Sequence, residues 1–428
     1  MPQLAALMSL PRAVIVLSVA ALLNDAASEM IAPLLPIFLT AALGAGPVIV
    51  GLVEGIAETT SSLLKLVSGR LADRGWNAKS LVLGGYTVSN VARPLIGLAT
   101  GWGNVLCLRF LDRVGKGVRT APRDALIATA IPPDQRGLAF GFHRGMDHAG
   151  AMIGPLIAFF LLETGATMSQ VFLASAIPGI CLLWLVLGLT TPRTAPASYL
   201  PPLHWRGLDL RLRGLILASG GLALATVPEA FLILWAVSNG LETAWAPLIW
   251  AIVHAIKAVV ALLAGGFSDR IGRLPVVIGG WSGRVITLTL IAFVEPAPFM
   301  LWALFIGYGA ALASTEGAER ALIGDFAPER QKATAFGLYH LVISLLALPG
   351  AFLFGLLWEW SGYRVSFLVA ALLTLGSAVT LLLLLQKDSG QAEKEKEPHA
   401  VGNCGEHDAA SQNGVAAKLV QDERDEDT

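Results

Sequence analysis

Gly69-Arg-Leu-Ala-Asp73-Arg74-Gly75 and Gly265-Gly-Phe-Ser-Asp269-Arg270-Ile-Gly272-Arg273 stand 196 residues apart, each between two long apolar runs. The offset holds downstream. Pro132 matches Pro328, Ala139-Phe140-Gly141 matches Ala335-Phe336-Gly337, Gly154 matches Gly350, and Glu163 matches Glu359. A constant offset over some 90 residues marks a duplicated structural unit.

The composition says where such a unit lives. The 428 residues are 55% hydrophobic and only 14% charged, with mean hydropathy +0.66. Soluble domains carry about 25% charged residues. The apolar residues lie in runs of roughly 20, enough for a helix to cross ~30 Å of hydrocarbon. Backbone groups cannot stay open in lipid, so such runs are helices or a closed barrel. The alternating ~10-residue strands of a barrel are absent. The sequence therefore predicts an all-α membrane protein of twelve spans: 13–39, 47–68, 79–100, 103–130, 137–162, 169–190, 215–241, 247–267, 274–295, 299–325, 333–357 and 364–386. The N-terminus reads as the first span, since no small-residue cleavage site precedes Asn24-Asp25.

These spans fall into an N-terminal six-helix bundle (1–190), a Pro- and Arg-rich linker (191–213), a C-terminal six-helix bundle (214–386) and a polar tail (387–428) whose composition predicts disorder. The repeat breaks in one place. Pro33 precedes Asp73 by 40 residues, whereas Pro247, taken as its partner, precedes Asp269 by 22, so the second half is expected to open with a shorter hairpin. Lys and Arg crowd one set of loops (Arg70, Arg74, Lys79, Arg136, Arg270, Arg273, Arg330, Lys332), which places those loops and both termini in the cytoplasm, with the chain in the cell inner membrane. Cys107, Cys181 and Cys404 are scattered, and no metal-ligand spacing or cofactor motif occurs, so neither metal nor cofactor is expected. No His-Glu-x-x-His, Gly-x-Ser-x-Gly or P-loop is present, which argues against an enzyme and against an ATP-driven pump. The net charge of −1 says nothing about partners, since charge placement matters more than its sum, and no nucleic-acid partner is expected.

The two Gly-x-x-x-Asp-Arg loops resemble the cytoplasmic signature of the major facilitator superfamily, after spans two and eight. The second copy fits best, completed by Gly272-Arg273; the first departs at Trp76-Asn77-Ala78. In span four, Arg113-x-x-Lys116-Gly117-x-x-x-Ala121 resembles the superfamily's Arg-x-x-Gln-Gly…Ala, with Lys for Gln. In span five, Gly150-Ala-Met-Ile-Gly154-Pro155 resembles the Gly-Pro motif of its drug/proton antiporters, although Ala158 stands where glycine is usual. The string from Arg109 to Leu126 resembles a bacterial branch whose substrates are mostly unassigned. Such a resemblance implies two pseudo-symmetric bundles rocking around a mid-membrane site, and proton-coupled efflux of a small organic compound, a mechanism for which a monomer suffices. Proton-driven uptake or facilitated diffusion of a metabolite stays open, as does a membrane sensor that transports nothing.

Ionisable groups inside spans are costly and mark function by default. Span one has Asn24, Asp25 and Glu29; span two Glu54, Glu58 and Lys65; span four Arg109, Asp112, Arg113, Lys116, Arg119 and Arg123 on one face. Span five has His143, Arg144, Asp147 and His148, and the second half has Glu242, His254, Lys257, Arg284, Glu316, Glu319 and Arg320. The resemblance implies that spans one, four, seven and ten line the cavity, making Asp25, Glu29, Arg113, Glu242 and Glu316 the candidates, with Asp25 or Glu29 the proton carrier opposite Arg113. It implies that Asp73, Arg74, Asp269, Arg270 and Arg273, with Gly69 and Gly265, latch the halves. The bland reading stands beside it: buried charges in bundles are often static ion pairs, and Arg119 and Arg123 suit gate contacts better than substrate. Gly150, Gly154 and Pro155 interrupt span five, and Pro349-Gly350 interrupts span eleven at the paired position.

Overall fold

A computed structural model of the chain describes residues 10–130, 136–189, 210–295, 297–326 and 332–396. These residues are helical throughout, with no strand among them. The first half contains α1 (Arg12–Glu29), α2 (Pro47–Asp73), α3 (Ala78–Leu95), α4 (Trp102–Thr129), α5 (Arg136–Glu163) and α6 (Met168–Leu187). The second contains α7, in two pieces (Leu210–Ala225 and Glu229–Ser238), α8 (Ala246–Ile271), α9 (Arg273–Phe293) and α10 (Pro298–Phe326). The helical run Lys332–Lys396 turns sharply at Gly362, where φ is 80°, giving α11 before it and α12 after it. A positive φ at that corner favours a residue without a Cβ.

Eight helical stretches are long and apolar enough to cross a membrane, and the last, Leu338–Leu384, contains both α11 and α12. The remaining spans are α1, α3 and α4, whose polar and charged residues dilute their hydropathy. Six ionisable side chains on one face of α4 do so most. The twelve-span architecture read from the sequence is therefore the observed one. Of the linker expected at 191–213, residues 191–209 lie outside the described residues and 210–213 open α7; of the tail expected at 387–428, residues 397–428 lie outside them and 387–396 continue α12 as helix.

Helix starts follow local chemistry. Thr167 and Gln170 form a reciprocal capping box at α6, Asn77 accepts the Ser80 backbone N–H at α3, and Pro47 opens α2 in the first turn. Two interior breaks set the geometry of the site. α1 ends at Glu29 and resumes as Leu35–Ile37 and a π-helical turn, Phe38–Ala42, after Pro33. α7 breaks at Thr226-Val227-Pro228. The partner of Pro33 is thus Pro228, 41 residues before Asp269, and the expected shorter hairpin is corrected: Pro247 instead sits in the first turn of α8, as Pro47 does in α2.

Close packing repeats between the halves. A Cβ on Gly150 or Gly154 in α5 would meet Leu22 O at 2.3 Å or Ala26 O at 2.4 Å in α1, and a Cβ on Gly350 in α11 would meet the Leu224 backbone of α7 at 2.9 Å. Two buried arginines repeat the tie to the first helix of each half. Arg93 of α3 donates to Asn24 O and Oδ1 of α1 at 3.1 and 3.0 Å, and Arg284 of α9 donates to Thr226 Oγ1 of α7 at 2.8 Å.

Candidate functional site

The halves meet along α2 and α11, with Gly51 against Ala351, Gly55 against Leu348, and Thr59 Oγ1 donating to Ser344 O at 2.7 Å. At the end away from the Asp-Arg loops, Glu359 accepts from the Val48 backbone N–H at 3.3 Å, and Phe159 packs edge-on against Trp245 at 5.8 Å. An apolar cluster drawn from both halves fills this end, including Met30, Leu35, Phe38, Phe231, Trp235 and Phe354.

Above that cluster lies a cavity of about 340 Å³ lined from both halves. The first half supplies Glu29 (α1), Glu54 and Glu58 (α2), and Arg109, Arg113 and Lys116 (α4); the second supplies Glu229, Trp250 and His254. A further cavity of about 480 Å³ lies nearer the Asp-Arg loops, bounded by Lys65, Asp124, Arg144 and His340. Lys65 is two turns from the loop end of α2, whereas Glu54 is five turns away.

The α4 face divides in two. Arg109, Arg113 and Lys116 look into the cavity, while Asp112 and Arg119 point towards α3. Asp112 is completely buried and takes Arg93 Nε at 2.8 Å, Arg109 Nη1 at 3.4 Å and Arg113 Nε at 3.6 Å. Arg109 also reaches Glu54 at 3.5 Å. Arg119 donates to Ser89 Oγ at 2.8 Å and lies over the Tyr86 ring, and Arg123 binds Asp124 at 3.0 Å. Buried ions demand such partners, since desolvation costs several kcal/mol each.

Opposite this wall, Trp250 Nε1 of α8 donates to Glu29 Oε2 at 2.9 Å. Trp250 lies against His254 with ring centres 5.4 Å apart, His254 Nε2 stands 3.9 Å from Glu229 Oε2, and Lys257 Nζ binds Glu229 Oε1. Side chains in contact thus run from an α1 carboxylate of one half, through the Trp250 and His254 rings, to an ion pair in the other.

Of the five cavity candidates from the sequence, Glu29 and Arg113 line this cavity together. Asp25 is half-buried on the α1 side that packs against Gly150 of α5, and accepts from Asn24 Nδ2 at 2.8 Å. Glu242 is exposed ahead of the first turn of α8 and is not among the side chains that line the cavity, because the helix begins only at Ala246. Glu316 faces a separate pocket of about 120 Å³ inside the second half, beside Arg284 and Glu319. Glu319 there accepts from Trp281 Nε1 at 2.7 Å and Tyr339 Oη at 3.2 Å. In α5, His143 Nδ1 meets Ser18 Oγ at 3.3 Å, and His148 is exposed.

The signature loops are partly described. Arg273 binds Asp325 and donates to Ala321 O at 2.6 Å, tying the start of α9 to the end of α10, and Gly272 has φ 95°. Arg70, Arg74 and Arg270 are exposed. The side chains of Asp73, Asp269 and Arg320 lie outside the described residues. Three members of these contacts escaped the sequence reading: Arg93, Glu229 and Trp250. A lone Arg one residue before Pro94, and an acid one residue after Pro228, were the available signals.

Comparison with known proteins agrees with this architecture. The family model described as Major Facilitator Superfamily matches residues 17–256 and 238–418. An uncharacterized MFS-type transporter, MJ1317 of Methanocaldococcus jannaschii, is 31% identical over 384 residues, covering 88% of this chain and 95% of that relative. Multidrug resistance protein MdtH of Salmonella newport is 30% identical over 131 residues, 31% of this chain and 32% of MdtH. Among solved structures, the nucleoside transporter NupG superposes with a TM-score of 0.73 at 14% identity, covering 88% of this chain and 99% of that one.

Proposed function

The chain belongs to the Major Facilitator Superfamily and is a membrane transporter, and from that premise we propose that it moves a small organic solute by alternating access, coupled to protons, in the direction of export. The observation that carries this reading is the Glu29–Trp250 hydrogen bond across a charged cavity between the halves. Glu29 is a carboxylate held by a neutral donor from the opposite bundle, within electrostatic reach of Arg113. Protonation or solute binding there changes what holds the two halves together, which is what coupling requires.

Export is favoured by the Gly150–Pro155 motif of α5 and by the partial similarity to MdtH. The basic loops favour an orientation with the Asp-Arg ends of the helices, and both termini, on the cytoplasmic side of the cell inner membrane. The apolar cluster then seals the outer end, and the cavity near Lys65 and Arg144 leads to the cytoplasm. One chain contains the whole cavity, so a monomer suffices. Asp25 and Asp147 on the α1–α5 contact, and Arg273 with Asp325 at the loop end, are positioned to modulate the switch rather than to hold solute.

The test is flux in proteoliposomes under an imposed pH gradient, with candidate solutes taken from a growth-inhibition panel. Solute moving against the proton gradient, with internal pH changing in step, supports the reading. Solute and proton moving together support uptake instead. Flux indifferent to the gradient contradicts coupling.

A further inference from the structure

Lys116 stands where the sequence departs from the Arg-x-x-Gln-Gly pattern. Gly115 and Gly117 flank it. A Cβ on Gly115 would meet Gly85 O of α3 at 2.4 Å, and one on Gly117 would meet Ser61 O of α2 at 2.8 Å. The two glycines let α3 and α2 close on either side of α4, leaving Lys116 the face that lines the cavity. Among the described residues the Lys116 ammonium makes neither a hydrogen bond nor an ion pair.

Its neighbour one turn away is little better supplied. Arg113 shares Asp112 with Arg93 and Arg109, and the other acid in contact with this group is Glu54, on Arg109. Four cations, Arg93, Arg109, Arg113 and Lys116, therefore face two carboxylates in contact. Glu58 stands on the same wall within electrostatic reach of Lys116 but accepts only from Ser62 Oγ, at 3.3 Å. Glu58 on this wall and Glu29 from α1 balance the remaining charge across the cavity, but neither makes an ion pair with Arg113 or Lys116. The half-buried Lys116 ammonium is left without contact from an acid, and a ligand anion would offset that cost.

Resting on the reading of this cavity as the transport site, we infer that Arg113 and Lys116 form the subsite for an anionic group of the solute, a carboxylate or a phosphate oxyanion. At i and i+3 on one helix, the two cations are close enough for a single oxyanion to bridge them with charge-assisted hydrogen bonds. Trp250 lines the same cavity and offers an aromatic surface to the solute's apolar part. A volume of about 340 Å³ restricts the occupant to a small molecule.

The test is thermal unfolding of the purified full-length protein in neutral detergent with four probes of similar size: 3-phenylpropanoate, phenyl phosphate, 3-phenylpropylamine and 3-phenylpropanol. At least one of the two anions should raise the unfolding temperature saturably, and the amine and alcohol should not; the responding anion tells a carboxylate subsite from a phosphate one. Lys116→Gln should weaken that anion about ten-fold or more, the loss of one charged hydrogen bond, while Lys116→Arg keeps it. Stabilisation by the amine equal to that by the anions overturns the assignment. So does unchanged anion affinity in Lys116→Gln, or no response to any of the four probes at 10 mM, a concentration of about the affinity expected of fragments. Flux is read separately. Anion binding with no flux in proteoliposomes counts against transport and leaves the subsite standing; flux that persists with Lys116 dispensable counts against the subsite alone.

Discussion

Trp250 donates its indole N–H to Glu29 Oε2 at 2.9 Å, joining α8 of the second half to α1 of the first across the cavity. A hydrogen bond to a carboxylate is worth about 1.5–3 kcal/mol. Trp250→Phe should therefore shift the balance between the observed state and the alternative by about ten-fold or more. Spin labels at Ala41 and Trp360, on the end sealed by the apolar cluster, report it: the variant should show a longer-distance population that the parent lacks.

Glu29→Gln keeps an acceptor for Trp250 but cannot carry a proton. Its expected phenotype is loss of flux driven by a pH gradient, with solute exchange at zero gradient retained. Asp25→Asn, away from the cavity-lining side chains, should retain more of the driven flux. Equal loss in both would place the proton elsewhere.

Asp112 is the shared counter-charge of Arg93, Arg109 and Arg113. Asp112→Asn leaves Arg93 and Arg113 with a neutral partner and Arg109 with Glu54 alone, and should cost about 3–5 kcal/mol of stability. Arg93→Leu, which leaves Asp112 to Arg109 and Arg113, should cost less than Asp112→Asn, because the carboxylate keeps two cationic partners. Thermal unfolding in detergent compares the two.

Gly154→Ala places a methyl 2.4 Å from Ala26 O, and Gly350→Ala places one 2.9 Å from the Leu224 backbone. Each should cost about 1–3 kcal/mol through helix separation. Gly84→Ala is the control, since nothing lies within 4 Å of that position. A Gly350→Ala variant as stable as Gly84→Ala would contradict the repeated α7–α11 contact.

The duplicated unit and the charged face of α4 were legible in the sequence because both are periodic. A fixed offset survives drift, and a 3.6-residue period places Arg109, Arg113 and Lys116 together whatever surrounds them. Partner choice was not legible. Arg93 and Asp112 sit on different helices, and only the close approach of α3 and α4, permitted by Gly85 and Gly115, makes them a pair. Trp250 was hidden because membrane tryptophans are ordinarily read as interface anchors. Glu229 was hidden because the break in α7 is offset by 195 residues from that in α1, so Pro228 escaped the 196-residue match. The acids themselves were visible, but which of them face the cavity depended on where each helix begins, as Glu242 shows.

The central claim is that the two bundles must move apart and together along α2 and α11 for solute to cross. Thr59 and Ser344 touch across that seam at 2.7 Å. With Cys107, Cys181 and Cys404 replaced by Ser, a short thiol-reactive bridge between cysteines at positions 59 and 344 should abolish flux in proteoliposomes, and reduction should restore it. Full flux in quantitatively bridged protein would contradict the account.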